Sequence, residues 1–214
     1  MPALVLVRHG QSVSVANRKF SGWEDTRLTV YGIEQSCRAG RILAQKQLRF
    51  DHVYTSFLRR AQESATQIIS TLASESPPVL IKDWRLNERH YGALQGQLRT
   101  EAAQTYGMRS IQNWRRHFRG RPPALALNHP SHPRNSDRYK EIAPHLLPSA
   151  ESMCDAALRA NELTNAPSAT AHIGIEYTAD FTESNLQVIS RLDYYWQDSM
   201  WTRLYNTGRD SIDS

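Results

Sequence analysis

The sequence predicts an α/β fold, a three-layer sandwich with helices on both faces of a mostly parallel sheet. Two observations predict it. Short apolar runs alternate with stretches of helical length and period, which is the pattern of parallel βαβ units. The first of these runs, Ala3-Leu4-Val5-Leu6-Val7, is continuous rather than alternating, as expected of a strand buried on both faces. It ends in Arg8-His9-Gly10. In open α/β sheets ligands collect outside the carboxyl ends of the strands, so an Arg beside a His at that place suits an anionic, phosphorylated substrate.

The remaining elements follow in order. Thr29 caps a helix that runs to about Gln47, with Ile33, Cys37 and Ile42/Leu43 on one face. Asp51 to Ser56 reads as a short strand ending in small polar residues, and a helix from about Phe57 to Ala73 carries Arg59 and Arg60 in its first turn. Val79-Leu80-Ile81 is a third strand. A turn-rich segment leads to Gly96, and a helix spans about Thr100 to Phe118. Residues 120–149 hold six of the ten prolines, so they form a long irregular excursion of the lid or binding-segment kind. Its three histidines and three arginines suit an anionic ligand. A helix-like stretch runs from Glu151 to about Leu163.

Composition sets the class. The 214 residues, 40% hydrophobic, suffice for a core, and no apolar run reaches the roughly 20 residues of a membrane span. A soluble cytoplasmic protein is expected. Cys37 and Cys154 are too few for a disulfide framework and lack ligand spacing, so they read as core thiols and no metal is implied. The net charge of +5 is uneven: residues 165–214 carry seven acids against three arginines, which leaves about +9 on the rest. Trp114-Arg115-Arg116-His117-Phe118-Arg119-Gly120-Arg121 interleaves aromatics with cations, a pattern compatible with nucleic acid. The four-residue spacing of Trp114 and Phe118 instead marks one packed helix face, and no nucleic-acid partner is expected.

Five blocks taken together are more specific. Leu6-Val7-Arg8-His9-Gly10-Gln11-Ser12, Phe20-Ser21-Gly22-Trp23, Tyr54-Thr55-Ser56 with Arg59-Arg60-Ala61, Trp84 to Gly96 and Trp114-Arg115-Arg116 resemble, in order and spacing, the 2,3-bisphosphoglycerate-dependent phosphoglycerate mutases of the histidine phosphatase superfamily. The likeness covers roughly residues 3–160. Leu86-Asn87-Glu88-Arg89-His90-Tyr91-Gly92-Ala93-Leu94-Gln95-Gly96 is its most specific part. The resemblance implies a mutase-like domain over residues 1–164, followed by a divergent segment, 165–214.

Residue chemistry agrees with it. Phosphoryl transfer to nitrogen needs a neutral imidazole and positive donors around the phosphoryl oxygens. His9 is the candidate nucleophile, with Arg8 and Arg60 converging from adjacent strand ends. Glu88 is the candidate general acid and base, because like-charge repulsion from a bound phosphate favours the protonated carboxyl. The resemblance further implies that Ser12, Ser21, Gly22, Arg89, His90, Tyr91, Arg99, Arg115 and Arg116 bind substrate, with Arg99 standing where the family usually has lysine. It also implies 2,3-bisphosphoglycerate as primer, no metal, and a homodimer or homotetramer.

Two departures stand against this. Ser14-Val15 replaces the family's Trp-Asn, and Val15 offers no donor to phosphate, while Asn17 lies two residues on. The family's terminal Ala-His-Gly-Asn-Ser block, with its second histidine and central strand, has no counterpart. Ala171-His172 is the nearest echo, but the alternation Ile173, Ile175, Tyr177 follows the histidine rather than preceding it. Residues 173–177 are the candidate replacement strand. Tyr194-Tyr195-Trp196, Met200-Trp201 and Leu204-Tyr205 form an aromatic, helix-like stretch without a counterpart. The expected function is interconversion of 2- and 3-phosphoglycerate through a phosphohistidine, with a phosphomonoesterase or a catalytically impaired phospho-ligand binder as the alternatives.

Overall fold

A computed structural model describes residues 4–72, 76–164, 174–181 and 186–193. The first helical turn, α1 (Val13–Ala16), is capped by Ser12, whose Oγ accepts from the Val15 amide at 3.3 Å. α2 (Val30–Gln45) starts as expected at Thr29, whose Oγ1 accepts from the Gly32 amide at 3.0 Å. β1 (His52–Thr55) and β2 (Val79–Lys82) pair in parallel, His52 opposite Val79 and Thr55 opposite Lys82, with α3 (Arg59–Thr71) crossing between them. This βαβ unit with its helices is an α/β fold, as the strand and helix alternation predicted.

α2 packs on α3 differently from expectation. Its buried residues are Gly32, Ser36 and Gly40, at four-residue spacing, while Ile33 and Ile42 are exposed. Small side chains bring the two helix backbones close. A Cβ on Gly40 would lie 1.8 Å from Thr71 Oγ1 and 2.7 Å from the Ile68 carbonyl oxygen. Apolar periodicity alone marks Ile33 and Ile42 as the inner face, but close backbone approach selects the glycine and serine stripe instead.

The expected first strand is overturned. Residues 4–7 pair in no ladder among the described residues, and Leu6 and Val7 are 53% and 47% exposed. A continuous apolar run reads as a buried strand only when partners flank it on both sides. The central strand that the resemblance supplies as its neighbour has no counterpart in this sequence. β3 and β4, defined below, form a two-stranded sheet.

Beyond β2 come single 3-10 turns at Trp84–Leu86 and Gly92–Leu94. The predicted helix over 100–118 is two helices, α4 (Arg99–Tyr106) and α5 (Met108–Arg116), split at Gly107. Gly107 has φ +81° with nothing within 4 Å of a built Cβ, so its backbone conformation, not crowding, calls for glycine. Trp114 packs edge-on against Tyr106 at 5.4 Å, while Phe118 lies beyond α5 and is exposed.

The proline-rich excursion is irregular as predicted, with 3-10 turns at Pro133–Asn135, Asp137–Tyr139 and Pro144–Leu146. Parts of it are packed down. Tyr139 and Leu147 are buried with Trp23 and Leu58, and Tyr139 stacks on Phe57 at 6.0 Å. Arg138 pairs with Asp25, Arg121 with Asp155 at 2.7 Å, and His132 is buried against Ser149 Oγ at 2.9 Å. A second cluster gathers Phe20, Leu94, Ala102 and Ile111, with Tyr91 and Trp114 against it.

α6 (Met153–Thr164) follows. β3 (Gly174–Phe181) and β4 (Leu186–Asp193) pair antiparallel, Gly174 opposite Asp193 and Phe181 opposite Leu186. The chain divides into two compact units, residues 8–160 and the end segments 1–7 with 161–214. His172 and the aromatic stretch 194–205 lie outside the described residues. Cys37 and Cys154 are half-buried free thiols. Among the described residues no helix is long and apolar enough to cross a membrane, and no group of three or more His, Cys, Asp or Glu side chains meets as a metal site.

Candidate active site

The turn that carries His9 is fixed by contact with two helices. Gly10 donates its amide to Ser64 Oγ at 3.0 Å, and Ser64 in turn donates to the Arg60 carbonyl at 2.8 Å. On the other side the turn presses on the start of α2: a Cβ on Gly10 would sit 2.1 Å from the Gly32 carbonyl oxygen, and one on Gly32 would sit 2.1 Å from the Gln11 carbonyl oxygen. Only a glycine pair permits this approach. The Thr29 amide donates to the Gln11 carbonyl at 2.9 Å and closes the contact.

His9 is thereby held in a defined tautomer. Its Nδ1 lies 2.7 Å from the Gly10 carbonyl oxygen, which can only accept, so Nδ1 carries the proton and Nε2 keeps its lone pair. Burial pushes the imidazole below its ordinary range; the Gly10 hydrogen bond and Glu88 oppose this, while Arg60 and Arg8 reinforce it. The ring is neutral at physiological pH. A neutral imidazole with a free nitrogen among cations is suited to attack on phosphorus.

Glu88 faces it from the irregular segment after β2. Its Oε2 accepts from Arg60 Nη2 at 2.7 Å, and Arg60, 1% exposed, also donates to the carbonyls of Glu24 at 2.9 Å and Gly22 at 2.8 Å. Gly22 takes φ +51° so that its carbonyl can meet the guanidinium. The Nε of Arg60 is buried without an acceptor.

Arg8, His9, Ser21, Glu88, Tyr91, Arg99 and Arg115 line one pocket, together with Val15, Lys19 and Phe20. Arg99 is an exposed residue of this lining, and partial desolvation, with Arg115 beside it, pushes it below the usual guanidinium range. Such crowding of like charge is relieved by an anion. Lys19 has no place in the sequence reading. A lone lysine before Phe20-Ser21-Gly22 follows no pattern; the only available signal was its position two residues from the Ser21-Gly22 turn.

Other predicted binders serve elsewhere. Ser12 is fully buried as the cap of α1. Arg89 gives Nη1 to the Trp114 carbonyl at 2.9 Å and Nη2 to the Tyr91 hydroxyl at 3.0 Å, with its guanidinium 4.7 Å from the Tyr91 ring centroid. It therefore caps the end of α5 and steadies Tyr91, a cation at a helix C-terminus. His90 is buried, its Nδ1 accepting from the Gly92 amide at 3.0 Å. Arg116 is exposed and outside the pocket lining. Sequence supplies the charges of these residues but not which carbonyls compete for them.

A family model described as the histidine phosphatase superfamily (branch 1) matches residues 4–152. The chain belongs to this superfamily. Curated relatives include 2,3-bisphosphoglycerate-dependent phosphoglycerate mutases of Hamiltonella defensa, 43% identical over 150 residues, and Bacteroides fragilis, 40% identical over 155. These matches take in 70% and 72% of this chain but 60% and 62% of the relatives, so the histidine phosphatase chain spans about six-tenths of their length. Among solved structures, a mycobacterial glucosyl-3-phosphoglycerate phosphatase is 26% identical with TM-score 0.51, over 72% of this chain and 61% of that one. Bacillus stearothermophilus YhfR is 25% identical with TM-score 0.52, over 74% and 63%.

Proposed function

We propose that this histidine phosphatase superfamily member is a phosphoglycerate mutase that interconverts 2- and 3-phosphoglycerate through a phosphohistidine at His9. The observation that carries the reading is the neutral His9 in a pocket lined by Arg8, Lys19, Arg99 and Arg115. Four cations against one carboxylate suit a ligand bearing two phosphates, or a phosphate and a carboxylate, more than a simple monoester. The relatives named as phosphoglycerate mutases support the same substrate.

The donor set fits 2,3-bisphosphoglycerate, which Arg8, Lys19, Arg99 and Arg115 would hold. When bound, that compound supplies the phosphoryl group that charges His9. The protein's own residues do the rest. His9 Nε2 gives its lone pair to phosphorus as the phosphorus–oxygen bond of the donor breaks, and the Glu88 carboxyl delivers a proton to the departing oxygen. In the return transfer Glu88 takes the proton of the substrate hydroxyl that attacks phosphorus, and the nitrogen–phosphorus bond breaks. Arg8 balances the charge on the transferring oxygens, a contribution of about 10²- to 10³-fold; Arg60, expected to share this role, is instead buried outside the pocket lining and holds the Glu88 carboxyl.

A phosphomonoesterase is the second reading, favoured by Val15 at the family's asparagine position and by the phosphatase among the similar structures. Water would then resolve the phosphohistidine. Phosphorus NMR of 3-phosphoglycerate with catalytic 2,3-bisphosphoglycerate separates the two. With wild type the expected product is 2-phosphoglycerate, and His9→Ala abolishes it along with any acid-labile label. Free phosphate alone would establish the phosphatase, and label persisting in His9→Ala would remove His9 as nucleophile.

A further inference from the structure

Glu88 sits in a segment with almost no regular structure to hold it. Trp84–Leu86 is a single 3-10 turn, and residues 87–91 belong to no helix or strand. The backbone groups of this segment must still be paired. Arg159, buried on α6, takes up three of its carbonyls: its Nη1 donates to those of Arg85 at 2.7 Å and Trp84 at 3.3 Å, and its Nη2 to that of Asn87 at 3.1 Å. Glu151, equally buried, accepts the His90 amide at 2.8 Å and returns its own amide to the His90 carbonyl at 2.8 Å. The two are joined to each other at 2.6 and 2.8 Å. Trp23, whose ring centroid lies 5.4 Å from the Arg159 guanidinium, completes the hold by donating Nε1 to the Glu88 carbonyl at 2.6 Å.

The backbone is thus gripped just before Glu88, at Asn87, and just after it, at His90. A buried ion pair is a poor source of stability, since an apolar pair of similar volume serves as well or better. Its worth here is the fan of donors that only a guanidinium supplies. We infer that the Arg159–Glu151 pair positions the backbone that carries Glu88, whose carboxyl Arg60 anchors directly at 2.7 Å, and so controls the proton transfer that accompanies phosphoryl transfer. The inference rests on the acid and base role of Glu88 proposed above.

The test uses the full chain as wild type, Arg159→Lys and the double variant Glu151→Met/Arg159→Met, which leaves no unpaired charge if Arg159→Lys fails to fold. Two reactions are compared: conversion of 3-phosphoglycerate primed by 2,3-bisphosphoglycerate, in which an alkoxide needs a proton on leaving, and phosphoryl transfer from p-nitrophenyl phosphate, whose phenolate does not. The expected result is a kcat loss of about 10²-fold with phosphoglycerate, in the range of a misplaced general acid. KM, and His9 phosphorylation by p-nitrophenyl phosphate, should change by no more than about threefold. Equal losses in both reactions, or a loss confined to KM, would overturn the inference and leave the pair as scaffold. Wild type inert in both reactions would instead defeat the proposed function. Amide exchange then decides the positioning claim by itself: faster exchange at residues 87–91 with α3 unchanged supports it, and unchanged exchange overturns it.

Discussion

Lys19 shows most directly what a single side chain adds to the pocket. It brings a cation to a wall where Val15 offers none. Lys19→Met should raise KM for phosphoglycerate about tenfold, equivalent to roughly 1.4 kcal/mol of lost binding, and change kcat little. Steady-state kinetics checks this, and a loss confined to kcat would contradict it. The placement of residues fixed by motif position was legible in the sequence: His9, Arg8, Glu88, Ser21, Tyr91, Arg99 and Arg115 line one pocket, although Arg60 does not. Residues whose role depends on competing acceptors were not. Arg89 carries the charge expected of a substrate ligand, but the carbonyls at the end of α5 and the Tyr91 hydroxyl claim its donors. Arg159 is one arginine of a helix until the carbonyls of residues 84–87 are seen around it.

Between elements, backbone proximity decides more than apolar periodicity. The α2–α3 contact runs through Gly32, Ser36 and Gly40, and a methyl at Gly40 meets the Ile68 backbone, which cannot rotate away. Gly40→Ala should therefore destabilise the folded state by about 1–3 kcal/mol despite the better helix propensity of alanine. The urea midpoint measures it; an unchanged or raised midpoint would mean that the helices separate at no cost. The Thr29 cap, β1, α3 and β2 were all legible because capping chemistry and short strands between helices are local signals. The break at Gly107 and the fate of residues 4–7 were not. The first needs a backbone conformation that no neighbouring residue announces, and the second needs a ladder partner elsewhere in the chain.

The whole molecule should be sensitive to mild acid. Burial, with His132 and Arg159 nearby, pushes His90 down to about 3 from its ordinary 6.5, and burial lowers His9 and His132 as well. The unfolded chain binds a proton near pH 6.5 that folded His90 refuses until about pH 3, so acid favours the unfolded state. This stability is fully present above pH 6.5 and is lost as the pH falls toward 3. Between pH 7.5 and 5 the loss from His90 alone is about 2 kcal/mol. Urea unfolding at the two pH values measures it, and His90→Asn, which keeps an acceptor for the Gly92 amide, should flatten the dependence. An equally steep profile in that variant would assign the effect to other groups. The pocket adds a tension of its own. Arg8, Lys19, Arg99 and Arg115 repel one another when nothing lies between them, so removing any one relaxes the empty protein while it weakens the grip on substrate. Selection for heat tolerance alone would favour descendants that have shed charge from this wall.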